Sequence, residues 1–405
     1  MRRISDPLLF GLCLTATLLG LFVVFDAGYA RALAKDGGMI PREFLMQCFW
    51  LVLSVPLGFA LGGIRPNRWE RAAKPLWIAT LIALAAVLVV GVSQNGARRW
   101  LGVGPASLQP AEFAKLTAIL FLAACLKGRT AWAEVRKPWR DFPTFMDNVA
   151  LPKLARWWPF FTILIAAGLI EVEPDLGTAA VLASTTFLLL LPGRVSRSSL
   201  VIGVAGVALL ATFLVYKEPY RIQRFLDHPH RWERGVADDG GYQTTQSEQG
   251  IADGGIAGVG VGRGRAKYFL PATTTDFIAA TIGEETGLWG SLGVLTLLGA
   301  IVARLYVLAG KAPTEYGRLV LYGICAWFGI QTCTNFMMAN GTLPAIGIPL
   351  PFFSSGGSSL LALWAAVGVA QSACLAPSPE RVRVPRARRV RRSRRGAPSR
   401  VARAR

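Results

Sequence analysis

Residues 158–192 read WPFFTILIAAGLIEVEPDLGTAAVLASTTFLLLLP. Two apolar runs flank Glu171-Val172-Glu173-Pro174-Asp175, a stretch of acids broken by a proline. A proline removes a backbone donor and ends a helix. A spanning helix needs about 20 mainly apolar residues. The segment therefore reads as two membrane spans joined by a tight polar turn, not as one long helix.

The same reading extends along the chain. Apolar stretches recur near 8–25, 44–62, 76–93, 110–126, 158–171, 175–192, 199–215, 287–309, 317–338 and 355–375. Of the 405 residues, 53% are hydrophobic and 17% charged, against about 25% charged in soluble domains. The opening Met1-Arg2-Arg3 resembles a signal peptide, but the apolar run behind it is about 18 residues, long for a signal core. The expectation is an all-α integral membrane protein with ten transmembrane helices.

Charge sets the orientation. One alternating set of segments (Arg2/Arg3, 63–75, 127–157, 193–198, 303–318 and the tail) carries 2, 4, 7, 2, 3 and 12 Lys and Arg residues. The intervening short loops near 26–43, 94–109, 171–175 and 339–354 carry 3, 2, 0 and 0. Basic loops stay in the cytoplasm, so both termini are expected there. The net charge of +20 is not a nucleic-acid signature, because it is concentrated in these loops and in the tail. Residues 1–376 are then one membrane domain, with a large extracytoplasmic loop 216–286 between helices 7 and 8. Residues 377–405 form a disordered, Arg-rich cytoplasmic tail suited to anionic lipid. The loop contains Trp, Tyr, Phe and Leu, and is expected to fold back on the mouth of the bundle. The six cysteines fall in or beside apolar runs, which argues against a disulfide framework or zinc site.

Polar clusters gather at the expected outer face: Asn95 to Trp100 leading to Gln109-Pro-Ala-Glu112-Phe-Ala-Lys115, then Glu173 to Thr178, the long loop, and Asn335 to Ser359. Glu112 and Lys115 share a helix face, as a catalytic or a structural ion pair. Asp276 follows three threonines and precedes Phe277-Ile278. Partial desolvation there would make it a stronger base; its plain alternative is a helix N-cap. Glu284 and Glu285 read as a solvated pair at a helix start, with a cation site as the other option. Gly258-Val-Gly-Val-Gly-Arg-Gly264 lacks the Gly-Lys-Ser/Thr of a nucleotide loop, though its backbone beside Arg263, Arg265 and Lys267 could contact a phosphate. The prolines and glycines between Gly341 and Gly357 cannot form a plain helix and should line a cavity.

Taken in order, Asn95-Gly-Ala-Arg-Arg-Trp100, Gln109-Pro-Ala-Glu-Phe-Ala-Lys115, Pro174-Asp-Leu-Gly-Thr178, Pro219-Tyr-Arg221, Gly241-Tyr-Gln243, Thr275-Asp-Phe-Ile278, Gly283-Glu-Glu-Thr-Gly287 and Leu343 through Ser359 resemble the SEDS family, which includes FtsW, RodA and SpoVE. The resemblance spans roughly residues 5–376 and leans toward FtsW-like members. It implies a peptidoglycan glycosyltransferase of the bacterial cytoplasmic membrane that polymerises lipid II during cell division or elongation. It also implies a class B penicillin-binding protein transpeptidase as partner, alongside other divisome or elongasome membrane proteins. The family's catalytic acid falls on Asp276. The chain departs from the family pattern at Ala272, Thr274, Ala279 and Ser355.

The expected mechanism is inverting, with Asp276 as general base. Arg98, Arg99, Lys115 and Lys267 would hold pyrophosphate, with Trp100, Gln109, Glu112, Gln243 and Ser355 as further substrate contacts. Mg2+ or Mn2+ could assist, as ions that ride on phosphate oxygens do. Broken helices and buried ion pairs also suit a transporter, so a lipid II flippase is the main alternative, with a non-catalytic division scaffold behind it.

Overall fold

The computed structural model describes residues 5–33, 38–94, 97–102, 107–127, 151–192, 206, 212, 219–233, 235–236 and 241–376. The expected span near 199–215 and the tail 377–405 lie outside them. Among the described residues the fold is helical apart from one short hairpin. Its elements are α1 (Pro7–Arg31), α2 (Arg42–Gly62), α3 (Pro66–Val90), β1 (Val92–Gln94), β2 (Ala97–Trp100), α4 (Pro110–Leu126), α5 (Leu151–Val172), α6 (Leu176–Leu189), α7 (Pro219–Asp227), α8 (Tyr242–Gly254), α9 (Ala266–Phe269), α10 (Ile278–Gly310), α11 (Glu315–Ala339) and α12 (Gly357–Ala373).

Local chemistry sets several helix starts. Asp6 caps α1 by accepting from the Leu9 N–H at 2.7 Å, with Pro7 in the first turn. Asp175 caps α6 through the Thr178 N–H at 3.0 Å, and Thr314 caps α11 through the Gly317 N–H at 3.0 Å. Such caps satisfy donors that the helix itself leaves unpaired. The acid–proline break after Val172 is the expected turn between two helices. Helix α10 begins earlier than its apolar pattern suggested, at Ile278, and absorbs Glu284 and Glu285. The backbone kinks at Gly287 (φ 66°) where the two readings would have met.

Among the described residues, five helices (α1, α2, α3, α10 and α11) are long and apolar enough to cross a membrane, and α6, α12 and the 158–172 part of α5 are shorter apolar helices. Large side chains such as Phe22, Val52, Ile82, Val89 and Ile165 point outward. A belt of this size would aggregate in water and is at home in lipid. The chain is a multi-pass membrane protein.

Helix α4 is buried along nearly its whole length and sits among α3, α5, α6, α11 and α12. Trp77 of α3 stacks on Phe121 of α4 at 5.7 Å, and its indole N–H donates to Thr162 Oγ1 at 2.9 Å. Helices α2 and α12 pack through a glycine seam. A Cβ on Gly58 would lie 2.7 Å from the Trp364 carbonyl oxygen, and one on Gly368 would lie 2.3 Å from the Gly58 carbonyl oxygen. In lipid, small residues at such crossings replace the hydrophobic drive that water would supply.

The two ends of the bundle differ. At one end Asp6 pairs with Arg304 and exchanges backbone hydrogen bonds with the Gln371 amide, while Lys127 pairs with Glu70 at 2.9 Å. The other end carries the irregular segments, and α7, α8 and α9 fold over it. The expected long loop is therefore an ordered cover where it is described.

Replacing Gly58 by Leu should overpack the seam and cost about 1–3 kcal/mol. The measurement is thermal unfolding of the detergent-purified protein: Gly58→Leu should melt several degrees lower. Gly11→Leu, where a Cβ meets nothing within 4 Å, should melt with the wild type.

Candidate active site

A cavity of about 1000 Å³ opens at the irregular end of the bundle. Its wall includes the first turns of α2, α4, α6 and α12 together with the turn before α10. Helix N-termini carry partial positive charge and unpaired N–H groups, so four of them around one space favour an anion.

Asp276 stands on this wall, partly buried. It does not cap α10: Phe277 occupies the N-cap position with no side-chain hydrogen bond. The backbone around it is held from three sides. The Thr274 carbonyl accepts from the Ser355 N–H at 2.8 Å, the Thr275 carbonyl from the Ser354 hydroxyl at 2.5 Å, and the Asp276 carbonyl from Asn335 Nδ2 at 2.8 Å. Three successive peptide units are thus tied to α11 and to the segment before α12. That segment is tied in turn by side-chain amides. Gln331 donates to Pro349 O at 2.8 Å, Asn335 to Ile348 O at 2.7 Å, and Gln47 bridges Ser354 O and the Gly356 N–H at 3.2 and 3.1 Å. Gly347 sits at φ +71°, and a Cβ there would lie 3.6 Å from Asp276 Oδ2. Glycine both permits that turn and leaves the carboxyl accessible.

Loss of solvation pushes the Asp276 carboxyl up to about 6, helped by the nearby Asp175 carboxylate and opposed by Arg99. Asp175 is itself well satisfied, accepting from Thr178 Oγ1 and Gln109 Nε2, each at 2.9 Å. Glu173 is 1% exposed, and neither of its carboxylate oxygens has a hydrogen-bond partner among the described residues. Burial and Asp175 raise it to about 8, again against Arg99. Arg99 clamps this turn by donating to the carbonyls of Glu173, at 2.8 Å, and Pro174.

The structure brings Asp276, Arg99, Trp100, Gln109, Glu112, Gln243 and Ser355 to the cavity wall. It does not bring Arg98, Lys115 or Lys267 there. Arg98 and Arg99 are neighbours on β2, and strand side chains alternate; Arg98 is the exposed one. Lys115 is 1% exposed, bound to Glu112 at 2.9 Å with its ammonium 5.1 Å from the Trp327 ring centre. Lys267 is turned inward onto Asp26 and Glu285.

Glu284 and Glu285 are not solvated but 2% and 5% exposed. They accept the N–H groups of the glycine loop: Arg265 and Ala266 at Glu284, Gly262 and Gly264 at Glu285. The loop's anion is the protein's own carboxylate pair, which leaves those amides unavailable to a substrate phosphate.

Two basic residues on the wall were not singled out from sequence, Arg42 and Arg224. Arg42 opens α2 behind Pro41, a helix-start pattern that sequence alone can reveal. Arg224 reaches the site because α7 folds over it and donates to the Ala345 carbonyl, which no local pattern announces. Among the described residues no three His, Cys, Asp or Glu side chains converge as a metal site. Asp175 and Asp276 could each supply one oxygen to an ion carried on a bound phosphate.

The family model for cell cycle proteins of the FtsW, RodA and SpoVE type matches residues 6–375. The chain is 33% identical over 369 residues to the probable peptidoglycan glycosyltransferase FtsW of Aliivibrio salmonicida, covering 90% of this chain and 87% of that one. It is 32% identical to stage V sporulation protein E of Bacillus subtilis, covering 90% and 95%. Among solved structures, a chain of a peptidoglycan synthase complex that coordinates polymerization and crosslinking superposes with a TM-score of 0.70 at 31% identity, covering 91% and 96%. The rod shape determining protein RodA of Thermus thermophilus superposes with 0.62 at 30% identity, covering 91% and 95%. The fold, the ordered motifs and these likenesses lead to one conclusion: the chain belongs to the FtsW, RodA and SpoVE family of cell cycle proteins.

Proposed function

We propose that this protein is a peptidoglycan glycosyltransferase that joins lipid II units at the outer face of a bacterial cytoplasmic membrane, with Asp276 as general base. The observation that carries this reading is the placement of Asp276 on the wall of a cavity ringed by helix N-termini and arginines. The functions named for its relatives point to the same chemistry. The arrangement is ten spans with both termini in the cytoplasm, residues 1–376 forming the membrane domain and 377–405 a cytoplasmic tail. Division or elongation is the setting, with a class B transpeptidase as partner.

In the reaction the acceptor's sugar 4-hydroxyl attacks the anomeric carbon of the donor. The bond to the lipid pyrophosphate breaks, and the pyrophosphate leaves with the electron pair. Inversion converts an α linkage to a β one in a single displacement. Asp276 takes the hydroxyl proton. A carboxylate with a raised pKa is a stronger base than an ordinary aspartate while still largely ionised at neutral pH. Pyrophosphate departs as a stable anion, so the site must supply positive charge more than a second acid. Arg42, Arg99 and Arg224, with the helix N-termini, take the role that the sequence pattern alone gives to Arg98, Arg99, Lys115 and Lys267. Gln109, Gln243, Ser355 and Trp100 present hydrogen bonds and a ring face to the sugars. Asp175, rather than the base, would be the protein ligand for a Mg2+ or Mn2+ bound with the pyrophosphate, which would add positive charge there.

The test is glycan polymerisation from purified lipid II by the reconstituted protein, with and without the transpeptidase partner. Loss of a general base removes roughly 10²–10⁴ in rate, so Asp276→Asn should leave little polymer. Wild-type turnover should fall about tenfold per pH unit below pH 6, where the base is protonated. Full polymer from the variant would remove Asp276 from the mechanism. Lipid II translocation without polymer under any condition would favour a flippase instead.

The same carboxyl makes a prediction about stability. Its folded pKa lies above its ordinary value, so the folded state disfavours the charged form. That penalty is present in full above pH about 6 and vanishes below the ordinary value of 3.8. Asp276→Asn should therefore be more stable than wild type at pH 8, by up to ~3 kcal/mol, with the difference closing on acidification. Melting curves at pH 8 and pH 4 check this; equal melting at pH 8 would mean the carboxyl is well solvated.

A further inference from the structure

Outside the cavity lining lies an ionic cluster that the chemistry above does not use. Lys267, with a side chain 1% exposed, places its ammonium 3.0 and 3.1 Å from the two oxygens of Asp26 on α1 and 2.7 Å from Glu285 Oε1 on α10. Glu285 also accepts the N–H groups of Gly262 and Gly264, both at 3.0 Å. Glu284 accepts those of Arg265 and Ala266 at 2.6 and 2.9 Å. The clasp is closed by backbone as well: Val259 and Gly260 donate to the carbonyls of Glu284 and Glu285, each at 3.0 Å. Gly258 lies at φ +81°, where a Cβ would stand 2.2 Å from the Glu285 carbonyl oxygen, so only glycine fits.

The chain leaves this clasp at Lys267 and returns to it at Glu284. Asp276 is carried on the segment between. Helix α1 approaches that segment a second time: a Cβ added to Gly28 would lie 3.7 Å from Thr274 Cγ2. Burying three charges costs several kcal/mol per ion before their attraction offsets it, and a packed apolar cluster often serves stability better. Buried ionic groups are better suited to fixing a position than to adding stability.

Resting on the reading of Asp276 as the base, we propose that Asp26, Lys267 and Glu285 form a positioning latch that sets the height of the Asp276 segment against α1. None of the three is a catalytic residue; they act through the placement of Asp276. Asp26→Asn is the informative variant, because the Lys267–Glu285 pair survives it and leaves one buried cation against one buried carboxylate. A 1 Å misplacement of a reacting group can cost 10²-fold, so this variant should lower kcat for lipid II polymerisation roughly 10- to 100-fold with KM nearly unchanged. Asp26→Glu should restore part of the rate. Amide hydrogen exchange over 270–276 should quicken in Asp26→Asn while the melting temperature stays near wild type.

Wild-type kcat in Asp26→Asn, unchanged exchange over 270–276, or a melting temperature that falls in step with kcat would each overturn the latch. Asp276→Asn, assayed alongside, separates the two readings. If it keeps wild-type turnover, the base assignment fails, while the exchange data still decide whether Asp26 holds the segment.

Discussion

Peptide groups at membrane depth have no water to bind, and the structure is organised around that constraint. Helices meet it internally. The proline- and glycine-broken segment before α12 cannot, and three buried amides, Gln47, Gln331 and Asn335, meet it instead. Each projects from a helix and binds the irregular backbone. Asn335 serves both that segment and the Asp276 carbonyl. The cavity therefore keeps its shape because its wall has nowhere else to put its polar groups.

Around that wall the electrostatics are uneven by design of the sequence. Two carboxyl groups, Glu173 and Asp276, share the neighbouring charges of Asp175 and of one guanidinium, Arg99. Asp175 takes the satisfied position, with two side-chain donors and a backbone donor. Glu173 and Asp276 are left less well solvated and rise in pKa. A group held in this way is costly to the fold and useful to proton transfer. The same environment that makes Asp276 a competent base makes it a liability to stability.

Much of the fold could be read from sequence because lipid imposes a coarse rule on composition. The apolar runs, the acid–proline turn and the cavity-lining character of 341–357 needed only length and hydropathy. Asp276 could be chosen because an acid among Thr, Phe and Ile is out of place. Where the reading failed, the missing information was three-dimensional. Arg98 and Arg99 look equivalent until strand alternation turns one outward. Lys267 and the glycine loop look like a phosphate cradle until Glu284 and Glu285, some twenty residues later, are found filling it. The burial of Glu284 and Glu285 is not legible because two adjacent acids look like a surface pair, and nothing local says that their partners are backbone amides of the glycine loop. The span near 199–215 and the tail beyond residue 376 lie outside the described residues.

The glycine seam between α2 and α12 limits how the protein can vary over generations. Helix α12 begins at the cavity wall, so any side chain that wedges the seam apart also shifts Gly356 to Ser359 at the site. Gly58 and Gly368 each abut the partner helix's backbone, so neither can be enlarged and then accommodated by trimming a side chain opposite. Substitution is therefore directed away from this pair and toward residues whose neighbours can yield. A position far from the chemistry is thereby as confined as one inside it.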